Sequence, residues 1–266
     1  MRKIHLLIID PQNSFCDPKG ELYVTGAEDD MQRLATMVER CGSKFDDIHV
    51  TLDCHHLFDV AHPLFWVGSG GQHPSPFTII SVNDVENGAW TPTVPSLTRR
   101  MIAYVKGLEQ GGRYPLCIWP PHCLIGTWGN NVIPCLADVL QKWEQDNIAM
   151  VDYVSKGSNI YTEHYSGIRA EVADPEDPST QLNTRLIDTL MEADEIVLTG
   201  EASSHCLKST VEDIAESFGD DSYVKKFVLL TDCCSPVTGF EQQETDFINA
   251  MTKRGMRTST SAEYLS

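Results

Sequence analysis

Residues 195–210, EIVLTGEASSHCLKST, combine a buried strand, a turn of small residues and the start of a helix. The run Glu195–Gly200 is nearly continuous in apolar residues, as expected for a strand that is covered on both faces. From residue 204 the apolar residues follow the helical period, which predicts a helix over 204–217. The thiol of Cys206 therefore lies in the first turn of a helix, just beyond the carboxyl end of a strand.

Other short apolar runs alternate with helical patterns along the chain. The predicted strands are His5–Asp10, Ile48–Asp53, Ala149–Val154, Glu195–Gly200 and Phe227–Asp232. The predicted helices cover 29–42, 131–146, 181–193, 204–217 and 240–254. This alternation predicts an α/β fold with three layers (α/β/α), in which helices cover both faces of a mostly parallel sheet.

The 56–120 segment departs from this alternation and contains turn-forming clusters such as GSGGQHPSP and WTPTVPS. We predict one domain over residues 1–266, in which the 56–120 segment covers one end of the sheet. Long ordered loops are usually lids or binding loops, but a tolerated insertion is the alternative. The C-terminal 235–266 segment matches no pattern of known function.

Composition excludes several classes of function. The 266-residue chain has a net charge of −18, which disfavours nucleic acid and anionic membranes as partners. It has no apolar run near the roughly 18 residues that span a bilayer, and the apolar run at its start is too short for a secretory signal. Nine cysteines without paired spacing fit reduced thiols, so we predict a cytoplasmic enzyme or binding protein.

Four reactive side chains follow the predicted strands and should meet at one rim of the sheet. Asp10 and Asp53 end two strands, Lys156 follows a third, and Cys206 follows Glu195–Gly200. Ligands of open α/β sheets bind beyond the carboxyl ends of the strands. A functional site is therefore predicted where these residues converge.

The combination of Asp10, Lys156 and Cys206 is typical of nucleophilic catalysis. A helix start and a nearby ammonium favour the thiolate, and an aspartate can take the thiol proton and return it to a leaving group. The small residues before Cys206 could supply N–H donors to an oxyanion. Taken singly, the three residues could instead be a cap, a surface charge and a core residue.

A second cluster contains metal-ligand types. Asp53 and His55 project to the same side of an extended segment, and the fold could bring His122 to them. A carboxylate with two imidazoles suits zinc, iron or manganese. His56 and His62 are further candidates, and the histidine pair could instead be a surface loop feature.

The chain resembles the isochorismatase-like cysteine hydrolases, and among them the nicotinamidase/pyrazinamidase branch. The resemblance rests on five motifs in family order: IIDPQNSFC at 8–16, LDCH at 52–55, WPPHCLIGTWG at 119–129, KGSNIYTEHYSG at 156–167 and LTGEASSHCLKST at 198–210. Together they span most of residues 1–235. The interval from His55 to His122 is longer than is typical of the family, and DCHHLFDVAHP replaces a shorter turn, so the metal and substrate side differs most.

The resemblance implies a Rossmann-like sheet and a catalytic triad of Asp10 as base, Lys156 as its charged partner and Cys206 as nucleophile. It also implies a cis peptide at Glu201–Ala202, with the N–H groups of Ala202 and Cys206 forming the oxyanion hole.

On the substrate side, the resemblance implies a divalent metal on Asp53, His55 and His122 that binds a pyridine nitrogen. Phe15 and Trp119 would pack against the substrate ring, although ordinary core packing is the alternative for both.

The function predicted from these observations is hydrolysis of a small amide through a cysteine thioester, with nicotinamide as the substrate. The alternative is a hydrolase of another small amide or of a carbamoyl or ureido compound. Two other classes are a ligand-binding protein without catalysis and a vinyl-ether hydrolase that uses neither metal nor thiol. The resemblance further implies a homo-oligomer.

Overall fold

The structure, a computed structural model, describes residues 2–111 and 113–266. Its strands are β1 (Ile4–Ile9), β2 (Asp47–Asp53), β3 (Trp66–Gly68), β4 (Ile79–Ile80), β5 (Trp90–Pro92), β6 (Leu116–Cys117), β7 (Asp152–Lys156), β8 (Glu195–Gly200), β9 (Phe227–Leu230) and β10 (Arg257–Ser259). Its α-helices are α1 (Asn13–Cys16), α2 (Ala27–Cys41), α3 (Val82–Glu86), α4 (Thr98–Gly111), α5 (Pro134–Asn147), α6 (Thr184–Met191), α7 (Cys206–Phe218) and α8 (Glu241–Arg254).

Six strands form one parallel sheet in the order β10-β9-β8-β1-β2-β7. Counted along the chain, these six strands have the order 3-2-1-4-5-6, which is the doubly wound Rossmann order. The order reverses between β1 and β8, where Ile9 pairs with Gly200. Ligands of such sheets bind at this switch point, outside the carboxyl ends of the strands.

Helices cover both faces of the sheet because the strand side chains alternate between two apolar clusters. Leu6 and Ile8 of β1 pack with α2 and α5 on one face. Leu7 and Ile9 pack with α6, α7 and α8 on the other. The predicted α/β fold class is therefore confirmed. In the described residues, no helix has the length and apolar character needed to cross a membrane.

The predicted strand at 149–154 is displaced in the structure, where β7 covers Asp152–Lys156. Ile148 and Met150 are apolar but lie at the surface, with 91% and 83% of their areas exposed. Ile148 adopts a left-handed conformation that ends α5. The apolar run therefore begins in the turn before the strand, and β7 is a half-exposed edge strand whose last residue is Lys156.

The 56–120 segment has secondary structure that the sequence patterns did not predict. It contains the short antiparallel pairs β3–β5 and β4–β6 together with α3 and α4. A third apolar cluster holds these elements together, with Phe65 and Trp66 packed against Met101 and Val105 of α4. Strand β10 at the opposite edge of the main sheet was also missed, because only Ser259 among its three residues is shielded from solvent.

Candidate active site

Four buried side chains meet where β1, β2, β7 and β8 end. Asp10 follows β1, Asp53 ends β2, Lys156 ends β7, and Cys206 opens α7 after the turn that follows β8. The parallel register brings them together, since Asp53 pairs with Lys156 across the sheet. The structure therefore places all four at the switch point of the sheet.

The Lys156 ammonium is the centre of this group. Its Nζ lies 2.9 Å from Asp10 Oδ2, 3.0 Å from Asp53 Oδ1 and 3.7 Å from Cys206 Sγ. It also donates a hydrogen bond of 2.9 Å to the carbonyl of His164. One buried cation thus contacts both carboxylates and the thiol, which is the geometry required of a charged partner in a nucleophilic triad.

Asp10 is held in one orientation by β2. Thr51 Oγ1 donates to Asp10 Oδ1 at 2.6 Å and accepts from the Asp10 N–H at 3.0 Å. Asp10 itself has a φ of 44°, in the left-handed region that non-glycine residues seldom adopt, although aspartate is found there more often than most. Within the described residues, its Oδ2 pairs with the Lys156 charge but receives no aligned hydrogen bond. This oxygen is therefore available to accept a proton.

Burial raises the pKa of Asp10 against the opposing effect of Lys156, and it raises the pKa of Cys206 well above its ordinary value. For Lys156, burial is outweighed by Asp10 and Asp53, which hold its pKa well above the ordinary range. Lys156 lowers the pKa of Cys206, in the direction that the sequence analysis expects, but burial and the two carboxylates outweigh this effect. A base must take its proton during the reaction, and Asp10 is in place to do so.

The turn before Cys206 presents backbone N–H groups beside the sulfur. Gly200 has a φ of 110°, and a Cβ there would lie 2.1 Å from the carbonyl oxygen of Ile9, so only glycine fits. The peptide bond Glu201–Ala202 is cis, at the position that the resemblance implies. Neither the Ala202 N–H nor the Cys206 N–H donates a hydrogen bond to any residue that the structure describes. Both donors are therefore available to an oxyanion.

Asp53, His55 and His122 form a buried group with metal-binding chemistry. Asp53 Oδ2 lies 3.0 Å from His55 Nε2 and 3.4 Å from His122 Nε2, and one ligand atom from each residue lies within 4.8 Å of the others. His55 Nδ1 contacts the Asp59 carboxylate at 3.1 Å, and His122 Nδ1 contacts the Pro120 carbonyl at 2.9 Å. Hydrogen-bond acceptors of this kind hold the imidazole proton on Nδ1, so that the Nε2 lone pair can bind a metal.

The remaining two histidines of the cluster differ in their surroundings. The His56 side chain is exposed, and its backbone carbonyl accepts a hydrogen bond from His62 Nδ1 at 3.0 Å. His62 is buried, with its ring 5.1 Å from that of His55 and 5.4 Å from that of His122. Its Nε2 has no partner in the described residues. His62 rather than His56 is therefore the candidate for a further ligand.

A cavity opens between Cys206 and the group formed by Asp53, His55 and His122. Its lining consists of Phe15, Leu22, Val24, Asp53, Trp119, His122, Glu163, Tyr165, Ala202, His205, Cys206 and Val237. Phe15 packs edge-on against His122 at 5.3 Å between ring centroids, and Trp119 Nε1 donates to the Tyr165 hydroxyl at 3.1 Å. Both predicted aromatic residues thus line a mainly apolar cavity that also contacts Cys206.

Sequence reasoning missed three polar residues of this cavity: Glu163, Tyr165 and His205. Glu163 and Tyr165 lie inside the motif KGSNIYTEHYSG, and His205 directly precedes Cys206. Their positions in these motifs could have indicated a place in the site. Glu163 Oε2 is buried without a partner in the described chain, and burial raises its pKa to about 7. A carboxyl group with a pKa near 7 therefore lines the same cavity as Asp53 and His122.

Comparison with known proteins identifies relatives, although no family model matches the chain. The nicotinamidase of Saccharomyces cerevisiae is 23% identical over 79% of this chain and 81% of its own length. The nicotinamidase/pyrazinamidase of Mycobacterium tuberculosis is 27% identical over 78% and 76%.

Solved structures agree in fold. The yeast nicotinamidase bound to the inhibitor nicotinaldehyde has a TM-score of 0.66 at 16% identity and covers 97% of this chain and 99% of its own. The pyrazinamidase of Pyrococcus horikoshii in complex with zinc has a TM-score of 0.56 at 16% identity, with the same coverage. These relatives confirm the family resemblance predicted from the five motifs.

Proposed function

We propose that this chain, which belongs to the nicotinamidase/pyrazinamidase branch of the isochorismatase-like hydrolases, hydrolyses nicotinamide to nicotinate and ammonia. The observation that carries the proposal is the contact of Lys156 with Asp10 and Cys206 at the end of a cavity lined by aromatic residues. One small, flat substrate can therefore meet a thiol that accepts the acyl group, a carboxylate that accepts a proton and an ammonium that balances charge.

In the first half of the reaction, Asp10 takes the thiol proton of Cys206 as the sulfur attacks the amide carbon. A C–S bond forms, and the π electrons of the carbonyl move to its oxygen. The N–H groups of Ala202 and Cys206 donate hydrogen bonds to this oxyanion, and one such donor contributes about 10²–10³ in rate. Lys156 offsets part of the negative charge of Asp10 and Asp53 while the proton moves.

In the second half, Asp10 gives its proton to the leaving nitrogen, the C–N bond breaks, and ammonia departs from a thioester on Cys206. Water then attacks the thioester carbon while Asp10 accepts a water proton. The C–S bond breaks, the sulfur takes that proton from Asp10, and the carboxylic acid product leaves.

The donor set of Asp53, His55 and His122 suits a divalent metal, since it combines one carboxylate with two imidazoles whose ligand atoms all lie within 4.8 Å of one another. A metal held by these residues would supply a Lewis acid for the pyridine nitrogen of the substrate. Asp59 and the Pro120 carbonyl would fix the two imidazole tautomers. Phe15 and Trp119 would hold the ring between this site and the sulfur.

His122→Ala is expected to weaken metal binding by more than about 100-fold, because even the loss of an outer partner of a ligand costs 10–100-fold. Metal content after dialysis against a weak chelator, measured by elemental analysis, checks this without reference to activity. His73→Ala is the matched control, since His73 is exposed and bonds the Trp66 carbonyl in the 56–120 segment. Equal metal content in the two variants would contradict the assignment.

Ammonia release from a panel of small amides tests the proposed substrate. We expect nicotinamide to have the highest kcat/KM, because the cavity contacts the Cys206 thiol and also Asp53 and His122, where the proposed metal would bind a pyridine nitrogen. Preference for a carbamoyl or ureido compound would support the alternative function, with the same triad acting on a different acyl group. No ammonia release from any member would overturn the amidase proposal.

Three properties accompany this proposal. All nine cysteines are free, which supports a location in the cytoplasm, where thiols stay reduced. We propose one domain over residues 1–266, because Ala61, Cys117 and Trp119 of the 56–120 segment belong to the apolar cluster that also contains Leu7 and Ile9 of the main sheet. The homo-oligomer implied by the resemblance stays a prediction, which light scattering would test.

A further inference from the structure

The backbone of His205 determines the direction of the Cys206 N–H. His205 has φ −131° and ψ −90°, which is neither helical nor extended, and it directly precedes the first residue of α7. Rotation about its Cα–C bond turns the peptide plane to which the Cys206 N–H belongs. The angle at His205 therefore decides whether this N–H points at the carbonyl oxygen of a bound substrate.

Aromatic side chains from two distant parts of the chain hold the His205 ring. Tyr114 stacks on it with ring centroids 4.8 Å apart and planes 19° apart. Phe240 meets it edge-on at 4.7 Å and 73°. Burial lowers the pKa of His205 to about 3, so the ring is neutral and its Nδ1 can accept a hydrogen bond from Ser204 Oγ at 2.9 Å.

The same two regions also hold the backbone at Ser204. Tyr114 Oη donates to the Ser204 carbonyl at 2.5 Å and accepts from Lys208 Nζ at 3.2 Å. The N–H of Val237 donates to Ser204 Oγ at 3.0 Å. Tyr114 lies near the end of the 56–120 segment, and Val237 and Phe240 lie in the 235–266 segment. The sequence patterns predict that the 56–120 segment covers one end of the sheet, and they assign no function to the 235–266 segment.

We propose that Tyr114 and Phe240 are positioning residues for the oxyanion hole. By holding the His205 ring from two sides, they aim the Cys206 N–H at the oxygen that becomes negative during the reaction. The inference rests on the proposed function, because it presumes acyl transfer at Cys206. It gives one residue of the 56–120 segment and one of the 235–266 segment a role in the chemistry that is separate from lining the cavity.

Such a role has a characteristic kinetic signature. A donor aimed at the developing oxyanion contributes to the transition state more than to bound substrate or product, so its misplacement lowers kcat rather than raising KM. Nicotinaldehyde reports this selectively, since the Cys206 sulfur adds to its carbonyl carbon and the carbonyl oxygen takes the thiol proton in the same hole. The affinity for nicotinate measures ground-state binding. The rate of alkylation by iodoacetamide measures the reactivity of the Cys206 thiol in a reaction that forms no oxyanion.

The experiment compares wild type with Tyr114→Leu and Phe240→Leu. We expect kcat for nicotinamide to fall by roughly 10–100-fold and nicotinaldehyde binding to weaken by a similar factor, below the full loss of one donor. Nicotinate affinity and the rate of Cys206 alkylation should each stay within about twofold. Tyr114→Phe keeps the stacked ring but loses the bond to the Ser204 carbonyl, so its effect should be smaller and of the same kind.

Tyr223→Leu is the matched control. Tyr223 is half-buried, like Tyr114, and lies away from the site. Each of the two rings also has a lysine ammonium over it: Lys226 Nζ lies 5.0 Å from the Tyr223 ring centroid, and Lys208 Nζ lies 4.9 Å from that of Tyr114. Variants of Tyr114 and Phe240 that retain full kcat would overturn the inference. So would equal losses of nicotinate binding, alkylation and nicotinaldehyde binding, since these indicate general loosening. Failure of the proposed function is seen separately, as a wild-type enzyme that releases no ammonia from nicotinamide.

Discussion

Cys206→Ala is expected to lower kcat for nicotinamide hydrolysis by about 10⁴-fold or more. Removal of the attacking atom leaves only binding and oxyanion stabilisation, and enzymes with a covalent nucleophile lose about this much when it is removed. The small side chain fits the existing space, so the protein should fold and bind nicotinate. Ammonia release under saturating substrate measures the loss.

Mass spectrometry of the acid-quenched reaction supplies a second readout. Wild type should carry an acyl group on the peptide that contains Cys206, and Cys206→Ala should carry none. Cys135→Ala, on the half-exposed face of α5, is the control and should react like wild type. An adduct on Cys16 or Cys123, or undiminished turnover by Cys206→Ala, would refute the assigned nucleophile.

Lys156→Met is expected to abolish activity and to lower the free energy of unfolding by about 3–5 kcal/mol. Removal of one member of a buried ion pair leaves its partner uncompensated, and Lys156 is the buried cation that contacts both Asp10 and Asp53. Its pKa is held well above the ordinary range by these carboxylates, so the lost group is an ammonium at every pH of interest. Urea unfolding measures stability, and ammonia release measures activity.

The double variant Lys156→Met/Asp10→Asn separates charge from packing. If uncompensated charge causes the instability, neutralising Asp10 should restore part of the lost stability without restoring activity, because the base is also gone. Lys226→Met is the control, since the Lys226 ammonium is half-buried but bonds the carbonyls of Met191 and Ala193 rather than carboxylates. A double variant that is less stable than Lys156→Met would contradict the electrostatic explanation.

The main sheet was predictable because strands covered on both faces need continuous apolar runs. β1, β2 and β8 were placed within one residue at each end, and they carry Asp10 and Asp53 and lead to Cys206. Edge strands lack this signal, since one side meets solvent. β7 was accordingly shifted, and β10 was missed.

The 56–120 segment shows a second limit of sequence patterns. Its strands have two or three residues, which is too short for any period to be recognised. The helix α4 buries Met101, Tyr104, Val105 and Leu108 at helical spacing, but the surrounding glycines and prolines obscured that pattern. A core formed by short elements depends on contacts between residues far apart in sequence, and local patterns carry no record of them.

The candidate site, like the fold, has features that the sequence predicts and features that only the tertiary structure shows. The sequence by itself determined the residue types and the strand ends: a thiol, an ammonium and a carboxylate, each at the carboxyl end of a parallel strand. Their approach to hydrogen-bond range follows from the strand order, because β1 and β8 are neighbours at the switch point. Only the tertiary structure decided the burial that raises the pKa of Cys206 and the packing of Tyr114 and Phe240 around the His205 ring, because both arise when distant segments meet.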